Sequence, residues 1–136
     1  MVPGRFEPPG TRRTVVKVAK RALRVSIFLG EGDVWHHKPT YVEIVHRAHK
    51  AGLAGASVLR GIEGFGAGSR IHTQHVFLLS ERLPVLVLIV DAEEKIRAFL
   101  DQLDDIEISG LVVVDEVESI RYAESSPRRS HWWSPT

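Results

Sequence analysis

Val85-Leu86-Val87-Leu88-Ile89-Val90 is apolar at every position. A strand with one face in water alternates apolar and polar side chains, whereas an unbroken run reads as a strand covered on both faces. Asp91 ends the run, and Asp91 with Glu94 has the spacing of a capping box. Ala92, Ile96, Phe99, Leu100 and Leu103 then recur at helical spacing and predict the second of two helices. Gly110 punctuates, and Leu111 to Tyr122 reads as the last strand, with a turn near Asp115.

Upstream of the apolar run, Pro84 interrupts, and Val76 to Leu79 reads as the earlier part of the same strand. Before it lies Arg60-Gly-Ile-Glu-Gly-Phe-Gly-Ala-Gly-Ser-Arg-Ile-His-Thr73, with glycines at 61, 64, 66 and 68 between Arg60 and Arg70. A second strand, from about Gly55 to Gly61, feeds into this segment. Leu23 to Leu29 alternates cleanly and predicts the first strand. Gly30 to Lys38 reads as a loop carrying Trp35, His36 and His37. Pro39 suits a helix first turn. Tyr41, Ile44, Val45 and Ala48 mark one helical face, and Gly52 stands where a C-terminal capping glycine belongs.

The order is β-α-β-β-α-β. It predicts an α+β fold, the ferredoxin-like βαββαβ sandwich, with two helices on one face of an antiparallel sheet. Those helices cover only one face of the Val85–Val90 strand. The simplest cover for the other is a second copy of the chain, and the alternative is the chain's own tails.

The chain has 136 residues, enough for one domain with tails, and no cysteine. Disulfides and thiolate chemistry are thereby excluded. No apolar run approaches the ~20 residues of a membrane span, and the first residues lack the apolar core of a leader, so a cytoplasmic protein is expected. The net charge of +1 hides an asymmetry. Residues 1–21 carry six basic groups and one acid, whereas residues 22–122 carry ten basic and fifteen acidic groups. A mildly acidic body argues against nucleic acid as a partner. The expected division is a flexible basic arm at 1–19, a folded domain at 20–122 and a flexible tail at 123–136.

Glycines let a ligand approach the main chain, and flanking guanidinium groups suit an anion. The glycine segment is therefore the candidate binding loop. It lacks the Gly-Lys pair of a P-loop, and it leads into a strand rather than the helix that a dinucleotide fingerprint requires. The expected ligand contacts are Arg60, Gly61, Gly64, Gly66 and Arg70, with Lys38 adding charge from the loop before the first helix. Four histidines, His36, His37, His72 and His75, supply the competing reading, a small metal-binding or catalytic protein built on the histidine loops. His72 and His75 sit in or beside a loop, and no carboxylate completes a set in sequence. No catalytic motif is present, so no cofactor and no enzymatic role are expected. Asp104 with Asp105 and Glu93 with Glu94 read as solvated helix faces, and Trp35 as the plug of a hydrophobic gap in preference to a platform for a planar ligand.

Gly30-Glu-Gly-Asp-Val-Trp-His-His-Lys-Pro-Thr-Tyr41, residues 51–66, Arg70-Ile-His-Thr73, Leu79-Ser-Glu-Arg-Leu-Pro-Val85 and Val117-Glu-Ser-Ile-Arg-Tyr122 resemble the uncharacterised bacterial family called domain of unknown function 190. The resemblance covers about residues 20–122. That family is similar to the PII signalling proteins, which implies a PII-like ferredoxin fold, a homotrimer and small-ligand sites at subunit clefts. In PII proteins the long loop between strands two and three contacts partners and responds to nucleotide, and the glycine segment occupies that place here. Members are often encoded beside fluoride-exporting channels, which implies a membrane transporter as partner.

Overall fold

The computed structural model describes residues 16–66, 72–73 and 83–123. In chain order the elements are β1 (Val16–Gly30), β2 (Val34–Trp35), β3 (Lys38–Pro39), α1 (Thr40–Lys50), β4 (Ala56–Arg60), β5 (Glu63–Gly64), β6 (His72–Thr73), β7 (Pro84–Asp91), α2 (Glu93–Asp101) and β8 (Leu111–Ala123). The main sheet has the order β4-β7-β1-β8. Each neighbouring pair is antiparallel, so β1 and β4 run parallel with β7 between them. This is the split βαβ arrangement of a ferredoxin-like sandwich, as the element order predicted.

The helices lie on one side. α1 packs on β4 and β7, and α2 on β1 and β7. Val25, Ile27, Leu29, Val85, Val87 and Ile89 point toward them and are buried, together with Ile44 and Ala48 of α1, Ile96 and Phe99 of α2, and Leu103 and Ile106 beyond it. The α2 spacing is thus that of a core-facing stripe. The other side of the sheet carries Phe28, Leu59, Val90, Leu111 and Val113, all exposed, with Leu86 and Leu88 half-buried. Among the described residues nothing is layered over it.

Several local features differ from the sequence reading. β1 begins at Val16, well before the clean alternation at Leu23, because β8 pairs with it from Val16↔Ala123 onward. β8 is continuous through Asp115, without a turn. There Arg24 lies directly opposite and its Nη2 reaches Asp115 Oδ2 at 2.6 Å. Asp91 is not an N-cap. The residue before α2 is Ala92, with no side-chain cap. The Asp91 carboxylate instead accepts the backbone N–H groups of Ala92 (2.7 Å) and Ala54 (2.9 Å), so it ties the end of β7 to the turn before β4. Pro39 precedes α1 rather than opening its first turn. The part of the third strand expected at 76–79 lies outside the described residues.

The end of α1 follows the sequence closely. Gly52 has φ 75°, Leu53 N–H donates to Ala48 O at 3.2 Å and Gly52 N–H to His49 O at 3.1 Å. Those two bonds are the Schellman pattern, which requires a left-handed residue and so favours glycine.

Candidate functional site

The chain folds a cleft at the end of the sheet where β1 stops. Phe28 to Gly30 form one side, Gly32 to Val34 continue it, Gly64 to Gly66 face it, and Pro84 with Ser109 to Leu111 complete the wall. Its volume is about 740 Å³, within the roughly 300–1,000 Å³ range of small-molecule sites. Five of its residues are glycines: Gly30, Gly32, Gly64, Gly66 and Gly110. Val34, Phe65 and Leu111 stand out into solvent around it.

One of these glycines is required by close approach. A Cβ on Gly110 would lie 1.6 Å from the Phe28 carbonyl oxygen, so only hydrogen fits there. A Cβ on Gly64 would meet Pro84 Cγ at 3.0 Å. Gly66 has open space around it. The glycine segment is thus pressed onto Pro84 at its start and free of it by Gly66.

Asp33 organises the opposite wall. Its Oδ2 accepts Gly30 N–H at 3.0 Å and Ser109 Oγ–H at 2.9 Å, and its backbone oxygen accepts Thr40 N–H at 2.8 Å. One residue thereby joins the end of β1, the start of α1 and the loop before β8. Sequence reasoning did not single it out. The available signal was an acid closing Gly-Glu-Gly-Asp between a strand and a helix, a position suited to bonding nearby backbone N–H groups.

The residues predicted to hold an anion are distributed as follows. Gly64 and Gly66 line the cleft. Gly61 N–H donates to Pro84 O at 2.6 Å, continuing the β4–β7 pairing. Arg60 forms an ion pair from Nη2 to Glu31 Oε1 and keeps an exposed side chain. Lys38 is exposed on β3 and is not part of the cleft wall. Arg70 lies outside the described residues. The structure therefore brings Gly64 and Gly66 into one wall, with Arg60 one strand-end away.

The loop expected between β1 and α1 is a hairpin. β2 and β3 pair as Trp35↔Lys38, leaving His36 and His37 as a two-residue turn with φ of 46° and 67°. Positive φ at both positions is the requirement of a tight hairpin turn with the sheet's own twist, one usually met by Asn-Gly. The His36 ring stacks on Trp35 with centroids 4.0 Å apart and an interplanar angle of 17°. The Arg47 guanidinium lies 4.9 Å from the Trp35 ring centroid. Trp35 itself packs against the hydrophobic core, as the plug reading expects.

Arg47 anchors this corner. Its Nε donates to Glu43 Oε1 at 3.0 Å, its Nη1 to Asp105 Oδ1 at 2.5 Å and to Gln102 O at 2.7 Å, and its Nη2 to Asp105 Oδ2 at 2.9 Å. Hydrogen bonding from Arg47 holds the Asp105 carboxyl below the usual carboxylate range, and the same contact raises Arg47 above its ordinary value. Asp105 is therefore a fastener between α1 and the turn after α2 as well as a solvated acid. Asp104, Glu93 and Glu94 are exposed as expected. Among the described residues no three histidine or acidic side chains converge as a metal site would require. No helix among them is long and apolar enough to cross a membrane. His75 lies outside the described residues.

Residues 22–119 match the family of domain of unknown function 190, described as an uncharacterized ACR. The chain belongs to that family. A UPF0166 protein of Aquifex aeolicus is 40% identical over 103 residues, covering 76% of this chain and 95% of the relative. A UPF0166 protein of Methanocaldococcus jannaschii is 33% identical over 97 residues, covering 71% of this chain and 89% of its own. Among solved structures, CPII from Thiomonas intermedia K12, described as a nitrogen regulatory PII-like protein bound to ADP, AMP and bicarbonate, superposes with a TM-score of 0.54 at 14% identity, covering 76% of this chain and 91% of CPII. A putative PII-like signaling protein from Thermus thermophilus superposes with a TM-score of 0.51 at 14% identity, with the same coverage of 76% and 91%. At such identities the likeness is one of fold, and this family member has the PII-like fold.

Proposed function

We propose that this protein is a PII-like regulator that takes a small anionic ligand, a nucleotide by first choice, at clefts between the subunits of a homotrimer, and passes the signal to a partner protein. The observation that carries the reading is the glycine-walled cleft below Gly64–Gly66, a ligand-sized space at the base of the glycine segment. Two further features support it. Phe28 and Leu111 pair directly across β1 and β8, and both belong to the cleft wall and to the uncovered apolar face of the sheet. A copy seated on that face therefore borders the cleft. CPII, a protein of the same fold, is described as binding ADP and AMP, so the fold tolerates such a site.

In this reading Arg60 leaves Glu31 to meet the anion, Arg70 and Lys38 add positive charge, and Gly61, Gly64 and Gly66 keep the main chain close to the ligand. The mildly acidic body needs these few cations to hold an anion. The protein performs no chemical step and carries no cofactor. It works in the cytoplasm, and the partner is an ion transporter in the membrane, the direction in which the family resemblance points.

A thermal-shift titration with ATP, ADP, AMP, cyclic nucleotides and inorganic phosphate tests the ligand, since a ligand selective for the native state raises stability by mass action. Arg60→Ala is expected to weaken nucleotide binding roughly ten- to a hundredfold, the value of one charge-assisted contact of about 1.5–3 kcal/mol. A lowered melting temperature with unchanged affinity would instead make Arg60 a structural partner of Glu31 only. No shift with any of these anions at millimolar concentration removes the ligand reading. A monomer by light scattering at micromolar concentration removes the trimer.

A further inference from the structure

The wall of the cleft runs against the charge of a bare anion. Among the described residues its one charged side chain is Asp33, and its one other polar side chain is Ser109. Phe28, Val34, Phe65, Pro84 and Leu111 make most of the remaining lining apolar. A phosphate placed inside would meet the carboxylate, and like charge opposes it in a partly desolvated space. A group that donates hydrogen bonds is favoured in the same place, because a carboxylate only accepts.

The two oxygens of Asp33 are used differently. Oδ2 accepts the Gly30 N–H at 3.0 Å and the Ser109 hydroxyl at 2.9 Å. Oδ1 has no hydrogen-bond partner among the described residues. Oδ2 therefore fixes the carboxylate, and Oδ1 keeps its acceptor sites. A cation stands close by on the same turn. Asp33 N–H donates to Gly30 O at 3.1 Å and closes the turn, and Glu31 within it pairs with Arg60. Glu31 N–H donates to Leu83 O at 2.8 Å, which pins the turn beside Pro84 of the cleft wall. One turn thus presents an acceptor inside the cleft and holds an arginine just outside it.

We infer that Asp33 reads a sugar hydroxyl, and that the ligand is a ribonucleoside phosphate with its sugar in the cleft and its phosphate outside, toward Arg60. The inference rests on the ligand reading above, and it names the class of molecule and the residue that selects it. The order of groups follows from the ligand's own chemistry. In a nucleotide the hydroxyls sit on the ring that carries the phosphate, whereas the amino groups of the base lie at the far end. Donors beside the anion are therefore sugar hydroxyls. The apolar lining suits the planar base. A carboxylate binds a ribose hydroxyl in the same way in dinucleotide-binding folds. A deoxy ligand leaves Oδ1 unpaired in the occupied cleft, and that loss is the source of selectivity against it.

Isothermal titration calorimetry of the full chain tests this, with AMP, ADP and ATP, each beside its 2′-deoxy and 3′-deoxy form, and with inorganic phosphate. At least one deoxy form is expected to bind about tenfold or more weakly than its ribonucleotide, the value of a lost bond to a charged acceptor. Inorganic phosphate is expected to bind more weakly than any of the three. Asp33→Asn separates reading the ligand from holding the turn. The Gly30 N–H requires the amide oxygen at the Oδ2 position, so the amide nitrogen replaces Oδ1 and a donor stands where the acceptor was. The preference for the ribonucleotide is then expected to fall to about twofold or less, with the urea midpoint close to that of the wild type. If Asp33→Asn unfolds, the wild-type ratio decides alone. Equal binding of ribonucleotides and deoxyribonucleotides by the wild type overturns the inference and leaves the ligand reading standing, as does a preference that Asp33→Asn retains in full. Phosphate binding as tightly as ADP overturns it in favour of a bare-anion site. No binding of any of these molecules removes the inference together with the ligand reading.

Discussion

The two faces of β7 are made of the same kind of residue and have different fates. Val85, Val87 and Ile89 are at most 3% exposed beneath α1 and α2. Leu86 and Leu88 on the other face are half-buried, and Val90 is 37% exposed. Around them Phe28 at 44%, Leu59 at 48% and Leu111 at 61% extend the apolar surface over all four strands. Isolated exposed apolar residues are ordinary, but a contiguous patch across a sheet marks an interaction surface. The helix-covered face accounts for the fold of one chain, and the uncovered face is where the proposed assembly places its neighbours.

The sharpest break of the comparison is a matched pair of truncations. Ile89→Ala removes a fully buried side chain and is expected to cost about 2–5 kcal/mol in urea unfolding, independent of protein concentration. Leu88→Ala, one residue away, is expected to cost roughly 1 kcal/mol in the separated chain. Its larger effect is on assembly, so its loss should grow as concentration rises into the range where copies associate. Equal, concentration-independent losses would mean that both faces are covered within one chain.

Where the open face meets the cleft, Gly110 lies against the Phe28 carbonyl. Gly110→Ala forces the strand ends apart and is expected to cost about 1–3 kcal/mol, as other overpacking does. An unchanged urea midpoint would show that this rim yields without strain. On the covered side the helix layer is held by local devices of smaller value. Gly52→Ala meets no neighbouring atom but must adopt a left-handed backbone, which is expected to lower stability by about 1 kcal/mol.

The smallest effect sharpens the electrostatic part. Arg47 depresses the Asp105 carboxyl, so the folded state binds that proton less readily than the unfolded chain. This contribution is present above the ordinary carboxylate range near pH 4 and disappears as pH falls through the depressed value. Asp105→Asn is therefore expected to be slightly less stable than the wild type at pH 7, with the difference shrinking toward acid pH. The exposure of Asp105 keeps the effect small. A difference that persists unchanged at low pH would assign it to packing of the Trp35 corner instead.

Residue by residue, legibility followed the range of the interaction. The Gly52 cap was readable because its cause lies within one helical turn. The α2 stripe was readable because period alone decides it. The capping role expected of Asp91 failed because its carboxylate found Ala54, 37 residues away, as a second partner. Asp115 looked like a turn former and became a strand residue because Arg24 stands across from it, 91 residues away. Of the residues that line the cleft, Gly64 and Gly66 are ones the sequence singles out, whereas Asp33 and Ser109 are not, since their contact spans 76 residues. The same holds for Arg47, whose visible i,i+4 partner Glu43 gave no hint of Asp105.

The sequence by itself determined the order of elements, the positions of both helix stripes, the unalternating third strand and the family to which the chain belongs. These follow from local periodicity and from residue types whose backbone preferences act at short range. The tertiary structure alone decided which face of β7 the helices cover, how far β1 and β8 travel together beyond the sheet, and which glycines meet around one cleft. Each of those depends on pairing between segments far apart in the chain, where register and contact are set by packing that no single segment encodes.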